Sequence, residues 1–360
     1  MTVDPVGGVW TYALALARGL VQRGGAVALA CMGGPLTPAQ YRAVQEIPGV
    51  DLFTSQYRLE WMDDPWGDVD LAGEWLLELA QDWGPDVIHL NGFAHGSLAW
   101  SQPVLVVAHS CVLSWWAAVR GDRVPDKYSE YQRRVRAGLE AARWIVAPTR
   151  AMLDALYAHY GQTGLQSVVF NGAETPEPAT GERDEVVLSV GRLWDRAKNT
   201  ELLANIASRL PWRVALAGET QSPAGLGTRW SHVKLLGQLD RGALAAQYAS
   251  AGIFAAPALY EPFGLSVLEA AQHGCPLVLG DIESLRELWE GAAVFVDPRS
   301  PEAWTRVLRQ LIGDPERRSW LSEAARARSL RYNVDAMVDR YCSIYDYLTL
   351  PQHARPISPP

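Results

Sequence analysis

Short apolar runs alternate with amphipathic stretches along nearly the whole chain, and that alternation begins twice. In the first half, strands are predicted near Ala26–Cys31, Val87–Leu90, Val104–Ala108, Ile145–Ala147 and Val168–Phe170. Helices are predicted between them, over Val9–Gln22, Leu71–Trp83, Lys127–Ala142 and Ala151–Tyr160. The segment Thr175–Asp184, rich in Pro, Thr, Gly and charge, reads as a linker. The alternation then restarts, with strands Val186–Val190, Val214–Ala217, Val233–Leu236, Ile253–Ala256, Leu277–Leu279 and Val294–Val296. Helices Asn199–Arg209, Arg241–Ala249, Leu265–His273 and Ser284–Trp289 lie between them, and Pro301–Ile312 and Pro315–Leu330 close the unit. A last amphipathic helix, Val334–Leu348, precedes a Pro-rich tail, 351–360, expected to be disordered. Strands that alternate with helices of this length form parallel sheets covered on both faces. Two such units in 360 residues predict two Rossmann-like domains and a cleft for ligand at the C-terminal ends of the strands.

Composition narrows the function classes. The apolar fraction of 48 % is enough for two cores, and no apolar run reaches the roughly 18 residues a membrane span needs. The N-terminus has Asp4 where a signal peptide carries basic residues, so the cytoplasm is the expected location. Cys31, Cys111, Cys275 and Cys342 form no CxxC pair and read as free thiols. A net charge of −8 argues against nucleic-acid binding, so an anionic ligand must be held by local positive groups.

The most informative stretch is ALYEPFGLSVLEAA, Ala258–Ala271. Pro262 and Gly264 shape a turn and Leu265 starts a helix, which leaves the backbone N–H groups of Gly264, Leu265 and Ser266 free. A helix N-terminus of this kind binds phosphate through its N–H groups and dipole. Glu261 on the loop and Glu269 one turn into the helix are suited to accept hydrogen bonds from sugar hydroxyls. Arg192 ends one strand and Lys198 begins the next helix, with Arg196 as the other nearby cation. Cations fixed there would stabilise the charge gained by a departing diphosphate. Gly7-Gly8 precedes an amphipathic helix but does not make GxGxxG, so a dinucleotide site is not expected. Asp68-Val69-Asp70 spells DxD, a metal motif in other folds. It stands among further acids before a helix and reads as a solvated helix N-terminus. No His/Cys group has zinc spacing, and neither a metal nor a cofactor is expected.

EPFGLSVLEA resembles the Glu-(seven residues)-Glu signature of the large retaining glycosyltransferase family of GT-B fold that includes sucrose synthases and bacterial mannosyltransferases. The resemblance runs on through VGRLWDRAKN, where Arg192 and Lys198 match the basic pair that grips the donor diphosphate. LAGE, with Gly218, and the stretch Leu236–Leu239 resemble the nucleotide-base loops, and Asn171-Gly172 the opening of the C-terminal domain. Gly7-Gly8-Val9 resembles the glycine loop, DVIHL and VVAHS two N-terminal strands, with only Met1–Val3 standing where the first strand belongs. The resemblance implies an acceptor domain over 1–172, with helix 333–350 packing back on it, and a donor domain over 173–332. It implies transfer of a hexose from a UDP- or GDP-sugar to an acceptor hydroxyl with retention and without metal. Catalysis would rest on Arg192, Lys198, Glu261 and His109, the last contacting the donor sugar. Gly8, Gly264, Leu265, Ser266, Glu269, Gly218 and Leu239 would bind the donor, and His95, Trp115 and Trp116 are candidates for the acceptor. A GT-B nucleotide-sugar epimerase and a non-catalytic nucleotide-sugar-binding protein are the alternatives.

Overall fold

The structure, a computed structural model, describes residues 1–176, 181–221 and 230–351. Part of the expected linker, 177–180, and nearly all of the expected disordered tail, 352–360, lie outside the described residues. The chain divides into two compact units. Unit 1 comprises Met1–Ala117, Asp122–Gly172 and the chain from Val334, and unit 2 comprises Ala118–Gly121 and Ala173–Asn333.

Unit 1 is built from β1 (Thr2–Val3), α1 (Gly8–Gln22), β2 (Val27–Cys31), α2 (Pro38–Gln45), β3 (Val50–Thr54), α3 (Trp66–Trp83), β4 (Ile88–Leu90), β5 (Val104–Val107), α4 (Val112–Val119), α5 (Ser129–Ala141), β6 (Trp144–Ala147), α6 (Arg150–Tyr160) and β7 (Leu165–Val168). Its strands are all parallel, in the orders β1-β2-β3 and β4-β5-β6-β7. The two groups are tied by Asn91, just past β4. Its backbone N–H donates to Thr2 Oγ1 at 2.8 Å and its Nδ2 to the Thr2 carbonyl at 2.7 Å. β1 pairs with β2 only at Ala30 and Cys31. Beside the rest of β2 lies a cavity of about 820 Å³ lined by Val27, Ala28, Ile88, His89 and Tyr345.

Strands β2, β5 and β6 are buried along their whole length because helices cover both faces of a parallel sheet. Tyr12, Leu16, Trp144, Val338 and Tyr341 belong to one core. A Cβ at Gly19 would lie 2.4 Å from Val338 Cγ2, so glycine lets the last helix approach α1.

Unit 2 follows as β8 (Asp184–Val190), α7 (Thr200–Ile206), β9 (Arg213–Ala217), β10 (Val233–Gly237), α8 (Arg241–Ser250), β11 (Ala251–Ala256), α9 (Leu265–Gln272), β12 (Leu277–Gly280), α10 (Glu283–Trp289), β13 (Val294–Val296), α11 (Pro301–Ile312) and α12 (Pro315–Ser329). α13 (Val334–Thr349) then returns to unit 1. The six strands form one parallel sheet, β10-β9-β8-β11-β12-β13. One core, with Val267, Leu268, Leu285 and Trp289, and another, with Leu203, Ile206, Trp304 and Leu308, account for its two covered faces. Strand order reverses between β8 and β11, and loops that leave neighbouring strands in opposite directions open a crevice there.

Several sequence expectations shift, among them the helix expected over Leu71–Trp83, which begins at Trp66. The strand expected at Val168–Phe170 is Leu165–Val168, because Leu165, Gln166, Ser167 and Val168 pair with Trp144–Ala147. The helix expected over Asn199–Arg209 ends at Ile206 and tightens into a 3₁₀ turn, Ala207–Arg209. The elements α2, β3 and α4 were not anticipated. Of these, α2 carries a local signal, Thr37-Pro38-Ala39-Gln40, in which Thr37 and Gln40 form a capping box with Pro38 at the first helical position.

Candidate functional site

The loops leaving β8 and β11 place the charged residues singled out in the sequence at the switch point of unit 2. After β8 the chain runs through Arg192 into a 3₁₀ turn, Arg196–Lys198, that Asp195 caps by accepting from Ala197 N at 2.9 Å. The other oxygen of Asp195 accepts from Arg192 Nη2 at 2.9 Å, and the guanidinium lies 5.4 Å over the Trp194 ring. Asp195 is buried while Arg192 keeps 39 % of its side chain exposed, so the carboxylate orients the guanidinium and leaves part of it open. Lys198 Nζ is paired with Glu261 Oε2, and both side chains are mostly buried. Arg196 is exposed, which separates the two cations left open by the sequence.

The β11 loop is fastened to the β8 loop by backbone. Leu259 N donates to the Ala197 carbonyl at 2.8 Å, and Asn199 Nδ2 donates to the carbonyls of Pro257 and Pro298 at 2.9 and 2.7 Å. Asn199 adopts φ 52°, a left-handed conformation that Asn tolerates better than most residues. Glu261 is held at its own carbonyl by Ser284 Oγ, 2.6 Å away. Gly264 then turns with φ 87° and α9 begins, with no side chain capping its first N–H groups. Leu265 and Ser266 occupy its half-exposed first turn.

Glu269, one turn into α9, accepts from Tyr248 Oη at 3.0 Å. Burial pushes its carboxyl above the usual range, against the opposing effects of that hydroxyl and of Arg241. Gly218 follows β9 with φ 133°, and a Cβ there would lie 1.8 Å from the Gly191 carbonyl oxygen, so only glycine lets the two strand ends meet. Leu239 sits half-exposed just before α8, whose first turn is capped by Asp240.

Unit 1 gathers its polar residues at the ends of β4 and β5. His109 Nε2 lies 2.8 Å from Asn91 Oδ1, and the ring meets Tyr12 edge-on at 4.5 Å. Burial pushes the imidazole down to about 3, so it is neutral at working pH. The buried His89 lies 3.2 Å from the same Asn91 oxygen through Nε2 and 2.6 Å from Tyr345 Oη through Nδ1. Gly8 is the first residue of α1, and Gly7 before it adopts φ 79°. His95 Nε2 is engaged by the Val69 carbonyl at 2.9 Å. Trp115 and Trp116 share α4 with ring centroids 6.1 Å apart, and Trp116 Nε1 donates to Asp122 Oδ1 at 2.6 Å.

Several residues of these clusters escape sequence reasoning. Asp195, Asn199 and Ser284 act through backbone or through another side chain, and only Asp195, lying between the two cations, carried a local hint. Glu60 is another. Its carboxylate accepts from Phe93 N and from Ala94 N, at 3.0 and 2.7 Å, and burial pushes it up. In the DxD stretch, Asp68 is paired with Arg58 at 3.0 Å and Asp70 with Arg134. Among the described residues no group of three or more His, Cys, Asp or Glu side chains is placed to hold a metal, and no helix is long and apolar enough to cross a membrane.

Residues 173–328 match the family model of the group 1 glycosyl transferases, and residues 6–176 that of glycosyltransferase family 4. The D-inositol 3-phosphate glycosyltransferase of Xylanimonas cellulosilytica is 26 % identical over 97 % of this chain and 94 % of that protein. The glycogen synthase of Mycobacterium tuberculosis is 28 % identical over 71 % of this chain and 68 % of that one. Among solved structures, sucrose-phosphate synthase from Thermosynechococcus elongatus superposes with a TM-score of 0.82 at 19 % identity, covering 96 % of this chain and 95 % of the other. Anabaena HepE, solved in complex with UDP-glucose, superposes with a TM-score of 0.74 at 18 % identity, covering 96 % and 99 %.

Proposed function

We propose that this chain, whose two parts match the group 1 and family 4 glycosyltransferase models and whose fold is GT-B, transfers a hexose from a UDP- or GDP-sugar to an acceptor hydroxyl, retaining the anomeric configuration and needing no metal ion. The observation that carries this reading is the convergence, at one switch point, of Arg192, the Lys198–Glu261 pair and the uncapped N-terminus of α9. Unit 2 is the donor side. The first-turn N–H groups at Gly264, Leu265 and Ser266 take the diphosphate, and Arg192 and Lys198 stabilise the charge it gains as the sugar leaves. Glu269 with Tyr248 holds the ribose, Gly218 and Leu239 bound the base, and Glu261 orients sugar hydroxyls once Lys198 turns to phosphate. Unit 1 is the acceptor side, where Gly8 and His109 also serve the donor sugar. Trp115 and Trp116 are its acceptor candidates. His95, with Nε2 committed to Val69, would contribute only through Nδ1.

In the reaction, the bond from the anomeric carbon to the phosphate oxygen breaks and the acceptor oxygen bonds to the same face. The acceptor proton passes to the departing diphosphate. Two features support chemistry without a metal. The cations and the helix end supply positive charge where it is needed, and the DxD aspartates already hold Arg58 and Arg134.

A thermal-shift screen of UDP-, GDP- and ADP-sugars identifies the donor, since a ligand of the folded state raises its apparent stability. Product release is then followed with and without acceptor and chelator, and the anomeric configuration is read by NMR. Donor turned over to an epimer without acceptor, an inverted product, or activity abolished by chelator and restored by manganese would each overturn part of the proposal.

A further inference from the structure

The side chain of Asn91 has one unambiguous orientation. Its Nδ2 lies 2.7 Å from the Thr2 carbonyl oxygen, which can only accept, so the atom facing the two histidines is the amide oxygen. That oxygen can only accept in turn. His109 Nε2, 2.8 Å away, must therefore carry the ring proton. His89 Nε2 lies 3.2 Å from the same oxygen and 3.3 Å from Tyr12 Oη, and its Nδ1 lies 2.6 Å from Tyr345 Oη. The Thr2 carbonyl thus fixes the orientation of the amide, and the amide oxygen fixes the tautomer of His109. The consequence for His109 is that its Nδ1 carries a lone pair on a partly exposed ring, and no partner among the described residues engages it.

We propose that Asn91 is a positioning residue that fixes His109 as the Nε2–H tautomer, so that His109 Nδ1 acts only as an acceptor and reads a hydroxyl donor on the sugar of the bound nucleotide-sugar. The first half of this proposal concerns the protein alone. The second rests on the function proposed above. Because burial also keeps the ring neutral, His109 supplies neither a positive charge nor a second N–H to a ligand. A hydroxyl can donate to Nδ1, whereas a carboxylate or phosphate oxygen at the same place would meet a lone pair. The site thereby discriminates between sugars that present a hydroxyl there and those that present hydrogen or an acidic group.

The experiment is ¹⁵N–¹H correlation NMR of the histidine rings in the intact, unliganded protein, with the His109 signals assigned by their loss in His109→Gln. The expected result is the Nε2–H pattern for His109, unchanged from pH 8 to pH 5. In Asn91→Leu the pattern relaxes to a mixture or to Nδ1–H. In Asn91→Asp, where a carboxylate replaces the amide, His109 begins to titrate within that range. Asn91→Asp keeps the two acceptor contacts and serves if Asn91→Leu does not fold. An Nδ1–H tautomer in the wild type, Nε2–H that persists unchanged in Asn91→Leu, or a His109 that does not titrate between pH 8 and pH 5 in Asn91→Asp overturns the assignment of Asn91.

The same proteins are then tested for release of UDP from UDP-glucose and of GDP from GDP-mannose. Asn91→Leu should lower the rate about tenfold, the scale of one lost hydrogen bond in the reacting complex. A changed tautomer with an unchanged rate overturns the reading of a sugar hydroxyl. If the wild type consumes neither donor, nor any other nucleotide-sugar, the proposed function fails while the NMR result still decides the tautomer.

Discussion

Removing the Lys198 ammonium separates a catalytic role from a structural one. In the structure its partner is Glu261, with side-chain exposures of 21 % and 12 %, so the pair lies between two regimes. Exposed pairs contribute about 0–1 kcal/mol, and truncating one partner of a fully buried pair costs about 3–5 kcal/mol. We take about 2 kcal/mol for Lys198→Ala, which for a unit of this size lowers the melting temperature by about 4–8 °C. The effect on transfer is of another order. Loss of one group aimed at charge that develops in the transition state lowers the rate about 10²–10³-fold, or about 3–4 kcal/mol. The two effects come apart in Lys198→Ala/Glu261→Gln, where no charge is left unpaired. Stability should return while the rate stays low. The assay is the initial rate of nucleoside diphosphate release at saturating donor, beside a thermal melt of each protein. A rate in Lys198→Ala within about threefold of wild type, with the melt lowered as expected, would make the pair a structural strut and refute the catalytic assignment.

Three further outcomes follow from the geometry. Glu269→Ala should weaken binding of the bare nucleoside diphosphate in calorimetry, whereas Glu261→Ala should leave that binding intact and slow transfer; equal losses of binding would contradict the division between ribose and sugar. Gly218→Ala should unfold or strongly destabilise the nucleotide unit, because its Cβ would lie 1.8 Å from the Gly191 carbonyl and φ is 133°; a melting temperature within 2 °C of wild type, about the effect of 1 kcal/mol or less, would show that the two strand ends can part. Glu60→Gln should raise the melting temperature at pH 7 relative to pH 4. Burial raises the Glu60 pKa in the folded state, so the wild type binds more protons folded than unfolded and loses stability as pH rises through the glutamate range, a loss the variant lacks. The same difference at both pH values would mean that Phe93 N and Ala94 N compensate the buried charge fully.

The parallel architecture was legible because each buried strand is a short apolar run and each helix has its own periodicity. β13 and α11 begin and end where the sequence places them, since Pro301 at the first helical position and Ser300 as cap mark the start of α11 locally. β7 moved by about three residues for a reason no local window contains. Val168, Val169 and Phe170 are the more apolar, yet Leu165–Val168 is the stretch that β6 holds in register. β3 was missed for the converse reason. It lies at the end of its strand group and is only partly buried, so its sequence, VDLFT, alternates too weakly to stand out.

The same distinction governs the clusters of functional residues. Glu261, Gly264 and Glu269 were found because a turn and a helix start are written within nine residues. Their partners are chosen by strand order. Lys198 meets Glu261 across 63 positions only because β8 and β11 are neighbours, and Asn91 meets Thr2 across 89 because β1 and β4 adjoin. The two histidines make the point sharpest. In sequence, His95 and His109 each sit in or beside a loop that follows an apolar strand. In the fold, His95 spends Nε2 on the Val69 carbonyl inside a 3₁₀ turn, while His109 spends the same nitrogen on Asn91 at the end of β5. Both are donors toward the protein. The difference is that Asn91 is itself oriented by Thr2 and shared with His89, so a substitution there changes which nitrogen of His109 holds the proton. At His95 the partner is a backbone carbonyl that no substitution removes. Single-site variation can therefore retune the chemistry of His109 through Asn91, and at His95 it can act only by replacing the ring or moving the α3 backbone that carries Val69.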